Sequence, residues 1–324
     1  MTILMTGLCE KGADQIWKQC NDALYAQGVT WLEEAAYAGD AEAWFFLGHC
    51  YSWGDGAVGF NEKKAYECYL RGASAGSARA VLGALRAGQY DEQMKRSARY
   101  SIEESYRQVR DAAEMGDVYA AWQMGEAVEW EDLADYMPQT ESAREQCLFW
   151  YERAADGGII PAMVKMGKCC QNGTYREKDE KEALRWANQC AASGEVWGLF
   201  QMGEHYRQEE DWEAAFQYDY AAAKQGSSRA MLYLGQMYLN GQGTERDIQA
   251  AVQALENAAA RNEAESFEEL GNLFYQDELV ERDDEKAFYW YGKAYAAGIK
   301  EAALPLARLY LRPSDEQDTV RAEK

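Results

Sequence analysis

Eight times along this chain an Ala-rich stretch closes on a glycine, or once on an asparagine, and a large apolar residue followed by a small one comes at a nearly fixed distance. The closures are Gly39, Gly76, Gly116, Gly158, Gly194, Gly226, Asn262 and Gly298, spaced 32 to 42 residues apart. The pairs are Leu47-Gly48, Leu82-Gly83, Met124-Gly125, Met166-Gly167, Met202-Gly203, Leu234-Gly235, Leu270-Gly271 and Leu306-Ala307. The small residue follows its closure by 9 positions, except Gly83, which follows Gly76 by 7. Self-similarity at this period marks a repeat architecture, in which one repeat cannot bury its own apolar face and stacking supplies the core.

Each closure ends a helix. In the stretch before Gly158, Trp150 and Ala154 stand four apart on one face, and Gly158 supplies the left-handed cap. Asn262 tolerates the same conformation. Each marker pair lies inside the next helix, within four-spaced stripes such as Ala43, Leu47, Tyr51, then Ala230, Leu234, Tyr238, and finally Ala302, Leu306, Tyr310. A glycine inside a helix costs about 1 kcal/mol against alanine. Its recurrence therefore implies that two helices cross closely there. Gly54-Asp55-Gly56 and Gly241-Gln242-Gly243 read as turns, because no strand pattern precedes them and no Lys-Ser/Thr follows.

The expected fold is all-α, a superhelical α/α solenoid of helix-turn-helix repeats. Residues 1–27 are expected to hold a helix, near 14–26, that caps the array. Residues 28–311 form about eight repeats. Residues 312–324 form a tail, since Pro313 ends the last helix and no apolar stripe follows it.

The string AxxxLGxxYxxGxG followed by KAxxWYxKAAxxG resembles the Sel1-like repeat, a relative of the tetratricopeptide repeat. Here it runs through Ala43, Leu47, Gly48, Tyr51, Gly54 and Gly56, then Lys64, Ala65, Tyr69, Ala73 and Gly76; the last copy holds Lys286, Ala287, Trp290, Tyr291, Lys293, Ala294 and Gly298. The resemblance implies an adaptor or scaffold holding another protein on a concave surface. It also implies groove positions three before, one after and four after each marker glycine. These are Phe45, His49 and Ser52; Trp122, Glu126 and Glu129; Val164, Lys168 and Gln171. The later repeats give Phe200, Glu204 and Arg207; Glu268, Asn272 and Tyr275; Leu304, Arg308 and Leu311. Trp197 joins them. The chain departs from the pattern in its second and third repeats, where Arg86 and Val128 hold the usual Tyr position, and in an acidic insertion from Trp130 to Thr140. Exported relatives staple neighbouring helices with cysteine pairs; here Cys190 holds one such position and Gly198 the other.

Charge limits the partner. There are 55 acidic and 33 basic residues, a net of -22. Nucleic-acid binding needs clustered Lys and Arg, so it is not expected. A basic protein is, because an acidic surface attracts it. Two roles fit, a cytoplasmic scaffold and an immunity protein that neutralises a bacterial toxin. A hydrolytic enzyme of the β-lactam-acting kind known among Sel1-like proteins is a remote alternative. The two histidines, His49 and His205, lie in different repeats, and no Ser-His-Asp or Cys-His arrangement emerges. No catalytic role, cofactor or metal is expected. The eight cysteines contain no CxxC pair and read as buried reduced thiols. The N-terminus carries no positive segment before Ile3, and no run of 18 apolar residues occurs, so neither an export signal nor a membrane span is expected. The expected compartment is the cytoplasm.

Overall fold

A computed structural model describes residues 2–18, 22–54, 58–130, 143–276 and 278–311. The acidic insertion beyond Trp130 and the expected tail at 312–324 lie outside the described residues. Those described are helical, with no strand among them.

Two compact units divide the chain, residues 1–198 and 199–324. The first contains α1 (Thr2–Trp17), α2 (Asp22–Tyr37), α3 (Ala41–Trp53), α4 (Glu62–Ala75), α5 (Ala78–Arg86) and α6 (Glu92–Ser97). It continues with α7 (Ile102–Glu114), α8 (Val118–Glu129), α9 (Ala143–Asp156), α10 (Ile160–Asn172) and α11 (Glu180–Ala192). The helix α12 (Val196–Gln208) begins just before the boundary. The second unit continues with α13 (Trp212–Lys224), α14 (Ser228–Asn240), α15 (Ile248–Ala260), α16 (Ala264–Tyr275), α17 (Asp284–Ala296) and α18 (Ala303–Tyr310).

Local chemistry sets the helix ends. All eight expected closures adopt a left-handed backbone, including Asn262 at φ 60°. At the other end, Asp40, Ser77, Asp117, Asp179, Ser227 and Asp247 each accept hydrogen bonds from backbone N–H groups of the first helical turn. The acidic runs at Glu209–Asp211 and Asp283–Glu285 have the same explanation. Asp211 caps α13 and Asp283 caps α17.

One expectation fails at the N-terminus. A single helix near 14–26 is replaced by a break after Trp17, and α1 and α2 form a helix pair of their own. Two glycines allow it. A Cβ on Gly12 would stand 2.8 Å from Leu32 Cγ, and one on Gly28 would stand 2.9 Å from the Gly12 carbonyl. Gly12 is thus the marker glycine of a further repeat whose second helix is α2.

The four-spaced stripes pack as expected in the middle of the array. Ala43, Leu47, Ala230 and Leu234 are buried. The last stripe differs, because Ala302 is buried but Tyr310 is 77 % exposed. No described helix follows α18 to cover that side.

Candidate functional site

The repeats share one internal device. Seven residues before each closure stand Leu32, Tyr69, Val109, Tyr151, Ala187, Asp219, Leu255 and Tyr291. Most of these side chains lie directly over a marker glycine. A Cβ on Gly48 would meet the Tyr69 ring at 2.6 Å, one on Gly125 the Tyr151 ring at 2.6 Å, and one on Gly271 the Tyr291 ring at 2.7 Å. Leu32 and Leu255 cover Gly12 and Gly235 in the same way. Ala187 is too small to reach Gly167, and there the ring of Trp197, from the next first helix, fills the space.

In three repeats the fourth residue after the marker glycine holds the head of that side chain. Ser52 Oγ donates to Tyr69 Oη at 3.3 Å, and Tyr151 Oη donates to Glu129 Oε2 at 2.6 Å. Arg207 is ion-paired with the buried Asp219. In the Gly271 repeat the first residue after the glycine does this instead, since Tyr291 Oη donates to Asn272 Oδ1 at 2.7 Å, while Tyr275 packs edge-on against the Tyr291 ring with centroids 6.0 Å apart. Several residues expected to face a partner are therefore engaged within the fold. Glu129 also pairs with Lys165, Arg207 lies 3.7 Å from the Tyr233 ring centroid, and Arg282 stacks on Tyr275. Trp122 is half-buried against Tyr151, and Phe200 stacks on Tyr233. Glu204 accepts from Gln201 at 3.3 Å. Burial, then Glu301, Glu269 and Glu265, raise the Glu268 carboxyl above its usual range. Arg308 is exposed on α18.

Four expected residues do meet in one place. Phe45, His49, Ser52 and Glu126 line a cleft of about 170 Å³ in the first unit. Three successive first helices, α3, α5 and α8, build it, with Phe60 and Glu62 at its edge. Phe45 is buried and forms wall, packed against Phe46 and His49. Burial, with Arg86 alongside, pushes the His49 imidazole down to about 4, so it is neutral at physiological pH. Glu126 lies 3.6 Å from Arg86 across the cleft.

Residues outside the expected set dominate the mouth. Trp53, Phe60 and Trp130 are 52 %, 69 % and 59 % exposed. Arg86 lies between the two indoles, 5.3 Å from the Trp53 ring and 4.6 Å from that of Trp130. The sequence carried a signal for this. Trp53 and Trp130 both stand five after a marker glycine, and the repeat between them has Gly88 there, with open space around its backbone.

Burial raises the thiols of five described cysteines. Burial pushes Cys68 and Cys147 up to about 12, and Cys9, Cys169 and Cys170 also upward. No group of three or more His, Cys, Asp and Glu residues suited to a metal occurs among the described residues. No described helix is long and apolar enough to cross a membrane.

The Sel1 repeat profile matches residues 22–40, 41–77, 118–159, 160–195, 228–263 and 268–299, more than half of the chain. An uncharacterized protein of Neisseria meningitidis serogroup B, NMB1327, is 26 % identical over 213 residues, 65 % of this chain and 42 % of that protein. Among solved structures, c5321, described as a protective antigen present in uropathogenic Escherichia coli strains and displaying an SLR fold, superposes with a TM-score of 0.64 at 22 % identity. That match covers 95 % of this chain and 65 % of the other. A Sel1 repeat protein from Oxalobacter formigenes gives a TM-score of 0.54 at 22 % identity, covering 94 % and 87 %. At these identities the likeness establishes the fold. The chain thus spans less than two thirds of both NMB1327 and c5321.

Proposed function

We propose that this chain, which belongs to the Sel1 repeat family, is a non-enzymatic scaffold that holds a basic protein partner on the first-helix face of its first unit. Protein interaction is the general role of the family's repeats. The observation that carries the reading is the aromatic cleft, where Trp53, Phe60 and Trp130 remain exposed around the Arg86–Glu126 pair. Exposed large aromatics gathered about a concave pocket are what interface hot spots are made of. The net charge of -22 supports a basic partner. The same reading makes the protein no enzyme, and the buried, neutral His49 and the thiols of Cys68 and Cys147, raised by burial, support it. A cytoplasmic setting belongs to the proposal too, as it would keep those thiols reduced.

The test is chemical cross-linking of the protein with what it captures from its native lysate, followed by mapping of the linked residues. Links should cluster around α3, α5 and α8, and Trp53→Ala with Trp130→Ala should abolish them. Links confined to the second helices α4, α7 and α9 would overturn the reading. Capture of a basic toxin would identify the role as immunity, and capture of a signalling or quality-control protein would identify it as a scaffold.

A further inference from the structure

The cleft is selective as well as exposed. Its walls are mostly carbon: Phe45, Tyr69, Leu82, Leu85 and the edges of Trp53 and Phe60. Inside it Arg86 faces Glu126 and lies against the Trp53 and Trp130 rings, and Glu62 adds a second carboxylate at the edge. An incoming carboxylate would meet Glu126 and Glu62, and an incoming cation would meet Arg86 and compete with it for Glu126. Neither would gain what it loses on leaving water. An uncharged apolar group meets no such penalty. Size narrows the choice further. An apolar cavity of about 150 Å³ accommodates a benzene ring, and this cleft measures about 170 Å³. The aromatic edges around it favour a tilted or edge-on ring.

Resting on the reading above, we propose that the cleft receives one phenylalanine side chain from a basic segment of the partner protein. The ring enters between Trp53 and Phe60 and packs on Phe45, Tyr69 and Leu82. The flanking lysines or arginines stay outside, attracted by the acidic surface, and speed the approach rather than filling the site. The pocket therefore reads one residue and the surface reads the charge around it. This division explains why an acidic protein keeps an apolar cleft on its first-helix face.

The experiment titrates the whole protein with a nine-residue peptide of alternating lysine and glycine, carrying a central phenylalanine and blocked ends. Binding is read from indole fluorescence and confirmed calorimetrically. Parallel peptides carry alanine or aspartate at the centre. The phenylalanine peptide should bind about tenfold or more tightly than the alanine peptide, and the aspartate peptide more weakly still. Raising the salt should weaken all three while leaving the phenylalanine-to-alanine ratio unchanged. The double variant Trp53→Ala, Phe60→Ala removes side chains that are 52 % and 69 % exposed. It should keep the wild-type melting temperature and lose the preference for phenylalanine. Equal affinity for the phenylalanine and alanine peptides would overturn the proposal, as would a preference that survives the double variant. If the native partner nevertheless cross-links to α3, α5 and α8, only the ring-reading proposal falls. If the peptide preference holds and the native partner docks elsewhere, the reading of function falls instead.

Discussion

Asp219 stands where other repeats place Tyr69, Tyr151, Leu255 and Tyr291, and it shows what that position demands. It is fully buried, and burial pushes its carboxyl up to about 6 although Arg207 is paired with it. In the unfolded chain the same group titrates near 3.9. Between about pH 4 and 6 the folded protein therefore binds a proton that the unfolded chain releases, and stability falls as pH rises through that window. The contribution is present below pH 4 and lost above pH 6. Asp219→Asn should remove this slope, so that the stability difference from wild type changes by about 2 to 3 kcal/mol between pH 4 and 7. Urea midpoints measured across that range check it. Replacing the pair with two leucines, Arg207→Leu and Asp219→Leu, copies the Leu255 solution and should be neutral or stabilising by up to about 4 kcal/mol, whereas Arg207→Leu alone should cost about 3 to 5 kcal/mol. If the double variant were as unstable as the single one, the pair would be holding the helices in register.

At the scale of the helix pair, stability turns on which glycines touch a neighbour. Gly235 sits beneath Leu255, and a Cβ there would stand 2.6 Å from Leu255 Cγ. Gly292, also inside a helix, has nothing within 4 Å of where its Cβ would stand. Two opposite outcomes follow in thermal unfolding. Gly235→Leu should lower stability by about 3 kcal/mol or more, through wedging of α14 from α15. Gly292→Ala should raise it by about 0.5 to 1 kcal/mol, because only helix propensity changes. Equal effects at the two sites would mean that the marker glycines do not set the crossing distance. The same logic gives Trp197 a role in packing. It covers Gly167 because Ala187 cannot, so Trp197→Ala should open a void and cost about 3 kcal/mol.

For the whole molecule, charge is the dominant property. With a net of -22, association with a basic partner should be fast at low salt and slow markedly as salt rises, since screening lengths fall to about 8 Å near physiological ionic strength. Stopped-flow association rates at a series of salt concentrations test this, and a flat series would remove charge from the account of recognition. Dissociation should respond instead to the exposed aromatics Trp53 and Trp130, because contacts in a desolvated pocket act after encounter.

The sequence alone determined the repeat, the helix ends and the close crossings. These depend on local chemistry: a left-handed cap at Gly298 or Asn262, a capping carboxylate such as Asp283, and a glycine such as Gly235 that only a tight approach can justify. It also carried the acidic balance that bounds the partner. It did not determine which face-directed residues remain available. The expected groove positions of Glu129, Arg207 and Asn272 proved to hold the heads of Tyr151, Asp219 and Tyr291, and Trp197 proved to fill space above Gly167. The N-terminal helix pair was hidden for a similar reason, because Gly12 becomes a marker only when Leu32 is seen above it. Periodicity assigns a residue to a side of a helix. Whether that side chain meets solvent or a residue from the next helix depends on the size of its neighbour, as Ala187 decided for Trp197. The cleft of Phe45, His49, Arg86 and Glu126 arose in that way, from three helices whose register no single repeat contains.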